Sequence, residues 1–273
     1  MVPATSLRSS SRTVSKLVIE RVGRTFPGVR GGSPTEALQP TSLNVADNDF
    51  ITILGPSGCG KSTLLRIIAG LDVPTTGRVL LDGAPVAGPG ADRGMVFQSY
   101  TLFPWLTVRE NVCFGLRERR IPEARQIDIA RRWLGRVGLD GFEHHYPKML
   151  SGGMQQRTAI ARALANEPKI LLLDEPFGAL DNQTRSLMQE LLLSIWETER
   201  KTVLFVTHDI EESIFMASRV VVMSARPGHI KADVPVPIAH PRPYTVKTSP
   251  EFSALKARLT EEIRVEALRA QVA

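Results

Sequence analysis

An apolar run, Phe50-Ile51-Thr52-Ile53-Leu54, passes directly into Gly55-Pro56-Ser57-Gly58-Cys59-Gly60-Lys61-Ser62, and helical spacing of apolar residues follows from Ser62 to Ala69. This junction constrains the fold more than any other stretch of the chain. A short apolar run ending in glycine reads as a buried strand. A strand that opens into a helix through such a turn must place the helix N-terminus beside its own C-terminal end. Glycines, lacking a Cβ, let backbone N–H groups converge on phosphate oxygens, and the helix dipole favours the same negative charge. Strand, glycine-rich turn and helix in this order form the context of a phosphate loop. Its candidate binding residues are Gly55, Pro56, Ser57, Gly58, Cys59, Gly60, Lys61, Ser62 and Thr63. Lys61 is expected to reach the β- and γ-phosphates, and the Ser62 hydroxyl to ligate Mg2+. Cys59 has two readings. A thiol beside Lys61 and a helix N-terminus is expected to have a lowered pKa, or it is a small residue tolerated in a tight loop. On both readings, alkylation of Cys59 obstructs the phosphates.

A second apolar run, Ile170-Leu171-Leu172-Leu173, ends in Asp174-Glu175-Pro176. A carboxylate at the end of a strand can hold Mg2+ through water, which is the expected role of Asp174. Glu175, the next carboxylate, is placed to polarise an attacking water. Gln98 follows the strand Met95-Val96-Phe97, and an amide offers its oxygen to a metal and its nitrogen to water. Ser151-Gly152-Gly153 opens another helix. A serine hydroxyl and free backbone N–H groups there make an anion site as well as a helix cap.

The rest of the chain organises around these pieces. Leu17 to Val22 reads as a short strand, Pro27 to Pro34 as turns, and Arg78–Leu81 and Gly94–Phe97 as strands. Val108 to Ala165 is mostly helical, broken at Gly138, Gly141 and Pro147; strands return at Ile170–Leu173, Val203–Thr207 and Val220–Met223. Alternating strands and helices imply an α/β core with a largely parallel sheet, interrupted by a helical insertion. Pro227 to Pro243 is proline-rich and expected to be extended. Ser249-Pro250-Glu251 then starts a helix with Ser as cap and Pro in the first turn, and Phe252, Leu255, Leu259 and Ile263 recur at helical spacing. The expected divisions are a flexible tail at 1–16, the first core part at 17–98, the helical part at 99–165, the second core part at 166–225, and an extension with one amphipathic helix at 226–273. An organelle transit peptide is the alternative for the tail, which is rich in Ser, Thr and Arg and free of acids.

Composition removes some function classes. No apolar run approaches the roughly 20 residues that span a bilayer, so a membrane role depends on partner chains. The net charge of +6 suits a solvated surface or an affinity for anionic lipid or nucleic acid, but no basic-aromatic patch favours nucleic acid. The two cysteines, Cys59 and Cys113, make neither a disulfide framework nor a metal cluster, which fits a reducing cytosol.

Between the two halves of the nucleotide site lies Leu150-Ser151-Gly152-Gly153-Met154-Gln155-Gln156-Arg157. With this segment the chain resembles the ATP-binding subunits of ABC transporters, and the resemblance runs from about Leu17 to the end. It implies a P-loop NTPase (RecA-like) core with a mostly parallel sheet, an antiparallel β portion and an inserted α-helical subdomain. It also implies ATP with Mg2+, and a head-to-tail homodimer in which Ser151, Gly152 and Gly153 bind the γ-phosphate held by the other copy. By the same resemblance Gln98 is the Q-loop glutamine, His208 after Val203–Thr207 is the switch histidine that contacts the γ-phosphate, and Asp181 lies in the loop between the two sites. Phe26 stacks on adenine, Glu175, His208 and Lys61 are the catalytic group, and Ser62, Gln98 and Asp174 hold the metal. His144, His145, His229 and His240 match no motif and are read as surface.

Three further segments resemble the nitrate/sulfonate/taurine class of bacterial importers. They are Leu102-Phe103-Pro104-Trp105-Leu106-Thr107-Val108-Arg109-Glu110-Asn111-Val112, Asp174 to Asp181, and Ser224-Ala225-Arg226-Pro227-Gly228-His229-Ile230. Gln155 stands where many relatives carry Arg. The implied partners are two transmembrane permease subunits and, indirectly, a periplasmic or extracellular solute-binding protein. The implied place is the cytoplasmic face of the inner membrane, as a peripheral subunit. The competing readings are a soluble ABC ATPase acting on DNA or ribosomes, and an ATP-gated clamp that barely hydrolyses. Neither a long coiled-coil insertion nor a second ATPase unit supports the first; the presence of both Glu175 and His208 opposes the second.

Overall fold

The computed structural model describes residues 15–28 and 32–272. Strands β1 (Ser15–Phe26), β2 (Thr35–Ala46) and β3 (Phe50–Leu54) precede helix α1 (Lys61–Ile68), and β4 (Thr76–Leu81), β5 (Ala84–Pro85) and β6 (Arg93–Val96) follow it. The helical section holds α2 (Val108–Glu118), α3 (Glu123–Arg136) and α4 (Gly152–Ala165). The chain then runs β7 (Ile170–Asp174), α5 (Asn182–Glu199), β8 (Thr202–Thr207), α6 (Ile210–Met216), β9 (Arg219–Met223), β10 (Ile230–Pro235) and α7 (Pro250–Val272).

Two sheets result. One is antiparallel, in the order β2-β1-β4-β5, and the other is β10-β9-β3-β8-β7-β6. In the second, β9, β3, β8, β7 and β6 are parallel, and β10 adds antiparallel at one edge. Every residue of β3, β7 and β8 is buried. A parallel sheet covered on both faces requires such unbroken apolar runs. Successive residues point to opposite faces. Ile51 and Ile53 pack with Leu64, Leu65 and Ile68 of α1; Phe50 and Leu54 join the cluster that includes Leu192, Trp196 and Ile214 of α5 and α6. Each such side chain contributes about 1.5–3 kcal/mol by leaving water.

The first strand runs from Ser15 to Phe26, longer than the Leu17–Val22 expected, and it takes in Ser15 and Lys16 of the expected tail. Residues 1–14 of that tail lie outside the described residues, as does part of the Pro27–Pro34 turn. The sequence also hid β2, because Pro40 sits inside it. Proline is tolerated on an edge strand, and β2 is the edge of its sheet. The proline-rich stretch after 227 is extended as expected, but Ile230–Pro235 pairs with β9. In the helical section the chain turns at Gly138 (φ +66°) and Gly141 (φ +82°). The Ser249 hydroxyl accepts from the Phe252 N–H at 3.1 Å and caps α7, whose Phe252 and Leu259 are fully buried.

His240 is not a surface residue. Its ring packs on Trp196, with centroids 4.8 Å apart, and neither ring nitrogen has a hydrogen-bond partner. Burial, with the Arg242 and Arg200 charges, lowers its pKa to about 4. The Glu197 carboxylate at 3.6 Å is too far to hydrogen-bond and does not reverse this. His229 is half-buried, its Nδ1 2.9 Å from the Ser224 hydroxyl.

Candidate active site

The parallel strands β3, β7 and β8 end at one edge, at Leu54, Asp174 and Thr207. Crevices at the carboxyl ends of such strands are the usual ligand sites of open α/β sheets. Here the crevice is a groove of about 430 Å³. Phe26 lines one part, and Ser57, Gly58 and Gly60 to Thr63 of the phosphate loop another; Gln98, Glu175, Ala37 and Arg226 complete it.

The loop keeps its backbone free for a ligand. Gly60, the residue before α1, has φ +96°, and a Cβ there would meet the Ala37 carbonyl oxygen at 2.8 Å. No side chain caps α1, so its first N–H groups face the groove uncovered. Lys61 is buried, its Nζ donating to the Gly55 and Pro56 carbonyls at 2.8 and 2.9 Å. Its ammonium lies 3.9 Å from Glu175 Oε1.

Ser62 lines the groove, and its hydroxyl donates to Oδ1 of the buried Asp174 at 2.8 Å. Burial pushes the Asp174 carboxyl above its ordinary pKa, and the Ser62 hydrogen bond offsets part of the rise. The Gln98 amide donates to Glu175 Oε2 at 3.4 Å. Hydroxyl, carboxylate and amide are hard oxygen donors, the set that Mg2+ prefers. Among the described residues no group of three His, Cys, Asp or Glu is arranged for a metal. A cation here would therefore draw its remaining ligands from water and phosphate, as Mg2+ does.

Glu175 follows the last residue of β7 with φ +43°, a strained backbone for a non-glycine residue. Its N–H is tied to the Val206 carbonyl at 3.0 Å. His208 Nδ1 lies 3.1 Å from Glu175 Oε2. Thr207, with Glu212 and Gln189, which carry no local sequence signal, locks the turn that carries His208. The Thr207 hydroxyl donates to Glu212 Oε2 at 2.5 Å and accepts from the Asp209 N–H at 3.0 Å. The Gln189 amide holds the other Glu212 oxygen at 2.9 Å. Burial raises the Glu212 pKa.

Ser151, Gly152, Gly153 and Asp181 do not line this groove. Ser151 is exposed and caps α4, accepting from the Met154 N–H at 3.3 Å. Asp181 is also exposed and caps α5, accepting from the Gln183 and Thr184 N–H groups, each at 3.0 Å. Hydrogen bonding from the Thr184 side chain, with these backbone bonds, holds its pKa down. Arg185 braces the preceding turn through the Phe177 and Leu180 carbonyls.

The lowered pKa expected of Cys59 is overturned. Its side chain turns beneath the loop, 1% exposed, and burial raises the thiol pKa against the smaller opposing effect of the Lys61 charge. Arg226, in contrast, lines the groove although no site role was expected of it; the signal was its place in the Ser224–Ile230 segment.

Comparison with known proteins gives the chain a family. A family model described as ABC transporter matches residues 38–178. The nitrate import ATP-binding protein NrtD of Synechocystis is 48% identical over 90% of this chain and 97% of its own length. The aliphatic sulfonates import ATP-binding protein SsuB of Bacillus thuringiensis is 46% identical over 83% and 88%. A dimeric ATP-binding cassette in a post-hydrolysis state bound to ADP and Pi superposes with a TM-score of 0.73. It is 35% identical over 82% of this chain and the whole of that one.

Proposed function

The chain belongs to the ABC transporter family as an ATP-binding subunit that hydrolyses ATP for transmembrane transport, and we propose that it drives import of a small anionic or zwitterionic solute of the nitrate, sulfonate or taurine kind. The cargo assignment rests on kinship with the nitrate and sulfonate import subunits. The proposed partners are a second copy, two membrane permease subunits and, through them, a solute-binding protein. The subunit would sit on the cytoplasmic face of the membrane; among the described residues no helix is long and apolar enough to cross one.

The proposed chemistry follows from the groove. Phe26 packs on the base, and the free N–H groups at the start of α1 and the Lys61 ammonium hold the phosphates. Ser62, Asp174 and Gln98 would hold Mg2+, which when bound would neutralise phosphate charge. Glu175 takes the proton of the attacking water, and His208, 3.1 Å away, orients that carboxylate and reaches toward the γ-phosphate. Ser151, Gly152 and Gly153 serve the nucleotide of the second copy, and ATP binding closes the dimer.

The observation that carries the dimer reading is the position of Ser151, exposed and outside its own groove. Lys61→Ala removes a charge from one phosphate loop, and Ser151→Arg blocks the facing surface. Each variant alone is expected to be nearly inactive, whereas an equimolar mixture regains turnover through one intact composite site. A mixture as inactive as its parts would oppose the shared site. Uptake of labelled nitrate, sulfonates and taurine by cells with and without the subunit tests the cargo.

A further inference from the structure

The segment Ser224–Ile230 is clamped from three directions. The Gly228 N–H donates to the Ala37 carbonyl at 3.1 Å, and the Gly228 carbonyl accepts from the Gln39 N–H at 2.8 Å, both on β2. Gly228 also lies against the phosphate loop itself, where a Cβ on it would fall 1.8 Å from the Cys59 carbonyl oxygen. The third clamp comes from α7. Glu266 Oε2 accepts from the Ala225 N–H at 2.8 Å, a buried bond from a side chain only 1% exposed. Lys231 at 3.1 Å and Arg269 at 2.9 Å neutralise that carboxylate, and they help hold its pKa below the ordinary value despite burial.

Arg226 stands next to the clamped Ala225, exposed, on the groove that Lys61 and Ser62 also line. Among the described residues lining that groove, Lys61 and Arg226 are the cations and Glu175 is the acid. A guanidinium presents several donors in a fork that suits phosphate oxygens, and it stays charged throughout the working pH range. A surface arginine that merely keeps the protein soluble needs no buried carboxylate to fix its backbone.

We propose that Arg226 binds the polyphosphate of the nucleotide and that Glu266 is its positioning residue, so that the C-terminal helix sets the affinity of the groove. The proposal rests on the nucleotide reading above and names a contact that reading does not contain.

The test measures dissociation constants for MgATP and MgADP on the full chain, at concentrations where light scattering finds a monomer. Arg226→Ala is expected to weaken both about tenfold, the usual loss for a hydrogen bond to a charged group, and Arg226→Lys to recover part of it. Lys61→Ala is the control for the groove. If Lys61→Ala weakens binding and Arg226→Ala does not, the Arg226 contact is wrong and the nucleotide site stands. If neither matters, the site reading itself fails. Glu266→Ala is expected to weaken binding about threefold by letting the loop drift, and to add nothing in the Arg226→Ala background. A full additional loss there would mean that Glu266 acts on stability alone and would overturn its positioning role. Should Glu266→Ala not fold, Glu266→Asp, which withdraws the acceptor from the Ala225 N–H, is read against the same two outcomes.

Discussion

The starts of α1 and α4 are both helix N-termini preceded by a glycine or serine turn, yet the fold treats them differently. The start of α1 has no side-chain cap; a left-handed glycine precedes it, and the buried Lys61 and Asp174, the half-buried Glu175 and the exposed Ser62 lie around it. The start of α4 is capped by Ser151 and open to solvent. An uncapped N-terminus leaves backbone donors unsatisfied, a cost that a bound anion would offset. A capped one is stable alone and can wait for a partner. The contrast teaches that one chain carries two unequal halves of an anion site, one enclosed by its own strands and one displayed outward.

The largest expected effect lies in the enclosed half. Glu175→Gln keeps the size and the hydrogen-bonding capacity but removes the base, and a fall in turnover of about 10²–10⁴ is expected. Size-exclusion with MgATP should show the dimer accumulating as hydrolysis slows. Near-normal turnover would break the assignment of Glu175. Stability offers the next contrast. Gly60→Ala places a side chain at φ +96° against the Ala37 backbone carbonyl, and a loss of about 2–3 kcal/mol is expected on denaturant titration. In Gly152→Ala the one close approach is to the Tyr100 hydroxyl at 2.7 Å, the movable tip of a side chain, so less than about 1 kcal/mol is expected. Equal losses would erase the difference between the two helix starts.

Acid separates the groove from the C-terminal extension. The folded pKa of His240, about 4, lies below the ordinary value near 6.5. Between these values the unfolded chain binds the extra proton, so stability rises with pH. It is complete above about pH 6.5 and is lost as pH falls toward 4, by about 1–2 kcal/mol after allowance for solvent screening. His240→Phe should flatten the melting temperature across this window and leave the pH profile of turnover unchanged. The smallest effect concerns Cys59. Buried beneath the loop with a raised pKa, it should react with a maleimide far more slowly than an unfolded thiol, with or without MgATP. Rapid alkylation blocked by nucleotide would restore the reactive-thiol reading.

Local grammar made much of the fold readable. Phe50–Leu54, Ile170–Leu173 and Val203–Thr207 are unbroken apolar runs because both faces of their sheet are covered, and burial on both faces leaves a mark in each residue. Strand β2 left no such mark, since an edge strand tolerates Pro40 and exposed polar residues. The Ser249 cap and the spacing of Phe252 and Leu259 announced α7 for the same local reason that the glycines announced the phosphate loop.

What the chain could not declare by spacing is which distant residues share a wall. Ser62 and Asp174 are 112 residues apart and bond at 2.8 Å because β3 and β7 flank β8 in one parallel register. Whether Cys59 faces phosphate or core is a matter of side-chain direction in a tight turn, and the packing beneath the loop turned it inward. Ala225 meets Glu266 only after α7 has folded back against α6. The sequence by itself determined the elements and the type of chemistry, because backbone propensity and residue type act within a few positions. Tertiary structure decided proximity, burial and hence protonation, because these depend on what the remote parts of the chain bring alongside.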